Sequence, residues 1–283
     1  MEATLVPTAI LTGLGAFFGL VLAVAHRFLH VEEDPRLERV TEMLPGSNCG
    51  ACGQAGCRAF AETLVAGANA PSRCTVASPD VIEQIAALLG VDPGKQEKRV
   101  ARLHCAGGIS AARQIAEYEG YSSCRAAHLV GGGGKGCAWG CLGLADCEMA
   151  CTFDAIHMNH ERLPVVDVDK CTACGDCVEA CPRDLFEILP VSHRLFVQCK
   201  APLEGDLARS VCRVACDGCS RCAQDAPPGL VRMENNLPVI DYSAGGPATP
   251  EICHRCPTGA IVWLEGGQFA PPRKPALTGE RLA

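Results

Sequence analysis

Between Ala3 and Ala25 the chain reads ATLVPTAILTGLGAFFGLVLAVA, without a single charged side chain. As a helix this stretch is long enough to cross the hydrocarbon core of a bilayer. Pro7 lies near its start, where a helix tolerates proline. A cleaved signal peptide has a positive n-region, whereas Met1–Thr4 carries only Glu2, so the pattern predicts a retained anchor over residues 1–26. Arg27, Arg36 and Arg39 follow the stretch, and no Lys or Arg precedes it. The positive-inside rule then places the N-terminus outside and everything after it in the cytoplasm. Gly15 and Gly19 form a small-xxx-small pair that suits either a closely packed partner helix or the ordinary glycine content of membrane helices.

The remaining patterns are short. A charged connector, residues 27–45, leads into the first cysteine-bearing segment. VIEQIAALLG (81–90) has apolar residues at helical intervals and predicts an amphipathic helix that stops near Gly90. After Cys151 runs TFDAIHMNHERLPVVDVDKC, and after Ala226 runs PPGLVRMENNLPVIDYSAGG. Each reads as strand, polar turn, strand, so the chain carries one hairpin unit twice. The predicted organisation is an anchor at 1–26, a four-cysteine domain at 32–91, a linker at 92–136, a paired-site module at 137–190, a second, degenerate module at 199–265, and a tail at 266–283 expected to be disordered. The fold class is α+β, with a single membrane helix and small helical and ββα-type modules.

Composition changes the picture at one point. Cysteine supplies 21 of the 283 residues, and aromatics only 5%. Such density means either an oxidised scaffold or metal sites. An odd count fits a pure disulfide framework poorly, and the cytoplasmic placement keeps thiols reduced and available to metals. With few aromatics the small lobes need another source of cohesion, which metal binding supplies. The net charge of −7 argues against a nucleic-acid partner. GGGGKG (131–136) lacks the Ser or Thr after lysine and the upstream glycine of a phosphate loop, so it reads as a turn.

Residues 171–182, CTACGDCVEACP, carry the full C-x2-C-x2-C-x3-C-P run. In that run three thiolates hold one [4Fe-4S] cluster and the fourth ligates its neighbour. The preceding GCAWGCLGLADCEMAC has the looser spacing C-x3-C-x5-C-x3-C. Crossed ligation predicts one cluster on Cys137, Cys141, Cys147 and Cys181, and another on Cys171, Cys174, Cys177 and Cys151. The N-terminal group Cys49, Cys52, Cys57 and Cys74 reads as a self-contained site in which Gly50, Gly53 and Gly56 allow close backbone approach. Its spacing alone leaves zinc open.

CDGCSRCAQDAPPG (216–229) opens as a triplet but has Ala226 where the fourth cysteine belongs. Aligned through LPVVD and LPVID, the positions of Cys171, Cys174 and Cys177 become Gly245, Ala248 and Glu251, while Cys181-Pro182 corresponds to Cys256-Pro257 with one residue of displacement. Crossed ligation sorts these changes: one cluster loses every ligand, and the other keeps Cys216, Cys219, Cys222 and Cys256. The competing reading makes Cys253 and Cys256 a separate C-x2-C site. Cys212-x3-Cys216-x2-Cys219 also has the spacing of radical S-adenosylmethionine enzymes, but the stretch after Cys219 is too short for their barrel. Cys105, Cys124, Cys199, Cys212 and Cys253 receive no role, except that Cys212 and Cys253 are candidates to replace a neighbouring ligand of the last cluster.

Together, the anchor at 3–25, LPGSNCGACGQAGC with Cys74, and KGCAWGCLGLADCEMACTFDAI with CTACGDCVEACP resemble the B subunit of the Rnf complex, a membrane ferredoxin:NAD+ oxidoreductase. The resemblance covers nearly the whole chain. It implies an electron-transfer subunit of an ion-pumping translocase, with soluble ferredoxin as partner and flavin and NAD chemistry on other subunits. No G-x-G-x-x-G fingerprint follows a strand here, in keeping with that division of labour. Two other readings remain: a membrane-tethered polyferredoxin of a hydrogenase or reductase, and a zinc-stabilised assembly module.

Overall fold

The computed structural model describes residues 2–29, 34–95, 97–243 and 246–269. Positions 245 and 270–283, and with them one expected site of ligand loss and most of the expected tail, lie outside the described residues. Helix α1 spans Glu2–Leu29. Its Ile10–Phe28 stretch has mean hydropathy 1.6, is long and apolar enough to cross a membrane, and is nowhere buried against protein.

A small helical lobe follows. α2 (Pro35–Met43) starts at Asp34, whose carboxylate accepts the Arg36 N–H, with Pro35 at the first helical position. α3 (Cys57–Val65) begins where Asn48 Oδ1 accepts the Cys57 N–H at 2.8 Å. α4 (Pro79–Leu89) is capped by Ser78 and stopped by Gly90 in the left-handed conformation, which matches the helix expected near 81–90. Leu37, Val40, Phe60, Leu64 and Ile85 from these helices close the lobe's core.

The rest of the chain is built twice from the same parts. In the first module, β1 (Arg99–Leu103) pairs antiparallel with β4 (Phe186–Pro190), and β2 (Ile156–Met158) with β3 (Pro164–Val166). In the second, β5 (Leu195–Val197) pairs with β8 (Ile261–Trp263), and β6 (Val231–Glu234) with β7 (Leu237–Ile240). β2–β3 and β6–β7 are the two hairpins expected from the repeat. The β6–β7 turn is Asn235-Asn236, both with positive φ, as a two-residue hairpin of primed type requires. Residues 92–136, expected to be a linker, supply β1 and α5 (Cys124–Leu129) and are part of the first module. α8 (Gly205–Val211) follows β5 in the second module, and its Ala208 packs in one cluster with Ala112 of the first.

The cysteine turns share one backbone design. α6 (Asp146–Met149), α7 (Asp176–Ala180) and α9 (Arg221–Asp225) are each one short turn entered through a left-handed residue: Ala145, Gly175 and Ser220. Two residues earlier in each case stands another: Gly143, Ala173 and Gly218. After the fourth-ligand positions 151, 181, 226 and 256, positive φ recurs three residues on, at Asp154, Asp184, Gly229 and Gly259. Ala226 thus keeps the turn of a ligand position without the ligand.

Candidate metal centres

Two cavities of nearly equal size lie in the first module. One, about 310 Å³ of atom-free space, is walled by Cys151, Cys171, Cys174 and Cys177. That is the expected set. Backbone N–H groups point at its sulfurs: Ala101 N–H donates to Cys171 Sγ at 3.5 Å, and Ala155 N–H to Cys151 Sγ at 3.4 Å. The other, about 330 Å³, is walled by Cys141, Cys147, Cys181 and Cys124.

Cys137 is parted from the group expected for it. It lines a different cavity, together with Cys105, Cys199 and Cys212. The replacement has a local cause. Asp146 accepts Ser123 Oγ–H at 2.9 Å, Cys124 N–H at 2.9 Å and Arg125 N–H at 3.1 Å. A carboxylate at a helix start satisfies amides that have no partner within the helix. This clamp holds the start of α5, and so Cys124, beside Cys147. No spacing rule finds Cys124, because its link to the site is Asp146, which stands far downstream in the chain.

In the N-terminal lobe, Cys49 and Cys52 share a tight loop in which Gly53 N–H bonds Gly50 C=O, and Cys57 opens α3. Cys74 lies close enough to Cys52 and Cys57 for their charges to interact. In the second module Cys216, Cys219 and Cys222 each interact with Cys256. The space of the missing neighbour is filled. Ala226, Tyr242 and Ala248 pack against a core that includes Leu230, Ile252 and Cys253. One constant interval separates Cys137, Cys141, Cys147, Cys151 and Cys181 from Cys212, Cys216, Cys222, Ala226 and Cys256. At that separation the buried Ile252, rather than the exposed Glu251, takes the place of Cys177.

Burial makes these thiols hard to ionise by themselves. It pushes Cys141 and Cys177 up to about 12, and Cys216 and Cys222 up to about 11. Cys147, Cys124, Cys174 and Cys74 move the same way, also chiefly through burial. Without metal such groups stay as neutral thiols; as metal ligands they must be thiolates, so loading releases protons and compensates the buried charge. Among the described residues no group of three or more His, Cys, Asp or Glu side chains is drawn together for a single ion. In the first module the thiols stand around shared cavities instead, an arrangement suited to a cluster with one metal per thiolate. The residues present therefore fit [4Fe-4S] clusters.

Thiols in fours on paired hairpin modules, with amides aimed at sulfur, define an iron–sulfur protein of ferredoxin type. Family models agree: residues 44–76 match the FeS model, an Fe-S cluster domain, and residues 164–187 match a 4Fe-4S binding domain. The chain is 39% identical to the B subunit of the Na(+)-translocating ferredoxin:NAD(+) oxidoreductase complex of Acetobacterium woodii, over 92% of this chain and 78% of that one. It is 38% identical to the B subunit of the proton-translocating ferredoxin:NAD(+) oxidoreductase complex of Clostridium ljungdahlii, over 94% and 95%. It is 36% identical to the B subunit of the ion-translocating oxidoreductase complex of Methanosarcina acetivorans, over 90% and 92%. The chain belongs to this family of B subunits.

Proposed function

We propose that the chain is the electron-transfer subunit of an ion-translocating ferredoxin:NAD+ oxidoreductase, taking single electrons from soluble ferredoxin, or returning them to it, and exchanging them with the membrane and flavin- or NAD-binding subunits of its complex. The observation that carries this reading is the pair of equal cavities in the first module, each walled by four cysteines. When bound, a [4Fe-4S] cluster supplies a reversible one-electron couple whose potential follows local charge, hydrogen bonds and exposure.

The ligand sets we assign are Cys49, Cys52, Cys57 and Cys74; Cys151, Cys171, Cys174 and Cys177; Cys124, Cys141, Cys147 and Cys181; and Cys216, Cys219, Cys222 and Cys256. This chain's own part is to hold thiolates, aim amides at them and keep water out. α1 anchors the chain in the membrane, with the cysteine-bearing lobes on the cytoplasmic side. The Thr75 hydroxyl donates to Thr172 C=O at 2.6 Å, tying the residue after Cys74 to the residue after Cys171. Cys147 and Cys177 are close enough to interact electrostatically. The first three sets thus adjoin in series.

The test is the full-length protein purified without oxygen. It should be brown, contain at least about sixteen irons with matching acid-labile sulfide, and bleach when mixed with reduced ferredoxin. A colourless, zinc-rich protein, or one whose colour reduced ferredoxin leaves untouched, overturns the reading.

A further inference from the structure

We infer that Cys105, Cys137, Cys199 and Cys212 hold a fifth [4Fe-4S] cluster, at the seam between the two modules. The inference rests on the reading of the chain as an iron–sulfur electron carrier. Its first support is the cavity. These four thiols wall about 320 Å³ of atom-free space, which matches the other two four-cysteine cavities.

The second support is symmetry. Cys105 stands two residues beyond the end of β1, and Cys199 two residues beyond the end of β5, the equivalent strand of the second module. Cys137 stands four residues before Cys141, and Cys212 four before Cys216, the equivalent cysteine of the second module. Each module therefore contributes the same two positions. Backbone contacts zip the halves together around them: Ala106 N–H bonds Gln198 C=O at 3.2 Å, and Arg113 N–H bonds Val211 C=O at 2.9 Å. Cys212 itself forms a bridge with Ala112.

The third support is chemical. Cys141 N–H donates to Cys105 Sγ at 3.3 Å, the same amide-to-sulfur contact made by Cys151 and Cys171. A Cβ on Gly107 would meet Cys212 Sγ at 2.8 Å, closer than a real Cβ approaches, so a side chain there would push that sulfur out of place. Lys135 is buried in the cavity wall, and its ammonium donates to two carbonyl oxygens, those of Gly107 and Cys141. A buried ammonium among carbonyls favours an anion nearby, and a cluster carrying four thiolates provides one.

The position gives the site its use. Cys141 belongs to the last set of the first module and touches Cys105 through its amide. On the other side Cys199 is close enough to Cys216 for their charges to interact. The seam site is thus the step that connects the clusters of the first module to the isolated one of the second.

The test is an iron and acid-labile sulfide count on the full-length protein isolated without oxygen. Five sets predict about twenty irons, against about sixteen for four. Cys105→Ser/Cys212→Ser should lose about four irons, and Cys253→Ala, at the one cysteine outside every set, should lose none. Should the double variant fail to fold, Gly107→Ala provides the same readout, with about four irons lost through displacement of the Cys212 sulfur. A wild-type count near sixteen, a double variant that folds and keeps the wild-type count, or one zinc ion per chain in place of the missing iron overturns the fifth site while leaving the electron-transfer reading intact. Absence of all iron would sink that reading instead.

Discussion

The two modules share a backbone and differ in what fills it. In the first, α6 and α7 face each other with a four-thiol cavity behind each. In the second, α9 keeps its triplet, but the counterpart of α7 is a 3-10 turn, Pro250–Cys253, with Ile252 buried where Cys177 would stand. Tyr242 crosses the same region and bonds the backbone of Leu195 twice, donating to its C=O at 2.8 Å and accepting its N–H at 2.7 Å. Burial pushes this phenol up to about 12. Where the first module has a second four-thiol cavity, the second has a hydrophobic core, and the left-handed turn at Gly229 follows Ala226 just as those at Asp154, Asp184 and Gly259 follow cysteines. Cohesion in such small lobes comes from metal–thiolate bonds or from apolar burial, and one can stand in for the other.

Substitutions at equivalent positions test this exchange. The largest effect is expected from Cys177→Ser, which should remove about four irons and, with them, the folding energy of the first module, seen as lost hydrogen-exchange protection in β2, β3 and β4. At the matching place Ile252→Ala should lower stability by about 2–5 kcal/mol, the range for truncating a buried aliphatic side chain, with no change in iron. Iron loss in Ile252→Ala equal to that in Cys177→Ser would mean the second core does not stand alone. Tyr242→Phe leaves two backbone groups of Leu195 without this partner and should cost about 1–3 kcal/mol, measured by denaturant melt at constant iron content. The smallest change is expected from Arg255→Gln. Arg255 pairs with Asp225 at 2.8 and 2.5 Å across the triplet helix and the segment before Cys256, but the pair is partly open to water. Its loss should barely move the melt, and the small difference should vanish at high salt. A large, salt-independent drop would show that this pair holds Cys256 in place.

Much of this was legible from residue order because ferredoxin ligation is mostly local. Three thiolates close together in sequence, with left-handed turns between them, can meet one cluster wherever the chain goes next. So Cys171, Cys174 and Cys177, and likewise Cys216, Cys219 and Cys222, announced themselves. Crossed ligation points to Cys151, which lines the same cavity as the first of these triplets, and the repeat points to Cys256 and to both hairpins. The membrane-length helix was legible for a similar reason, since length and apolarity are properties of one segment.

What the sequence left undecided was every ligand whose place depends on a fold around it. In GCAWGCLGLADCEMAC the first cysteine looks like a member of its own motif, yet Cys137 lines the seam cavity, and Cys124, from a segment whose pattern reads as linker, lines the cavity of Cys141, Cys147 and Cys181. Asp146 makes that exchange by capping α5 from a distant point in the chain. Cys105 and Cys199 sit in no motif at all; each is simply the second residue beyond a strand, and they meet because β1 and β5 end side by side. With the seam site proposed above, twenty of the 21 cysteines would fall into five sets of four. Spacing could say how many thiols a turn presents to one cluster, but only long-range pairing of backbone could say which distant thiol completes it.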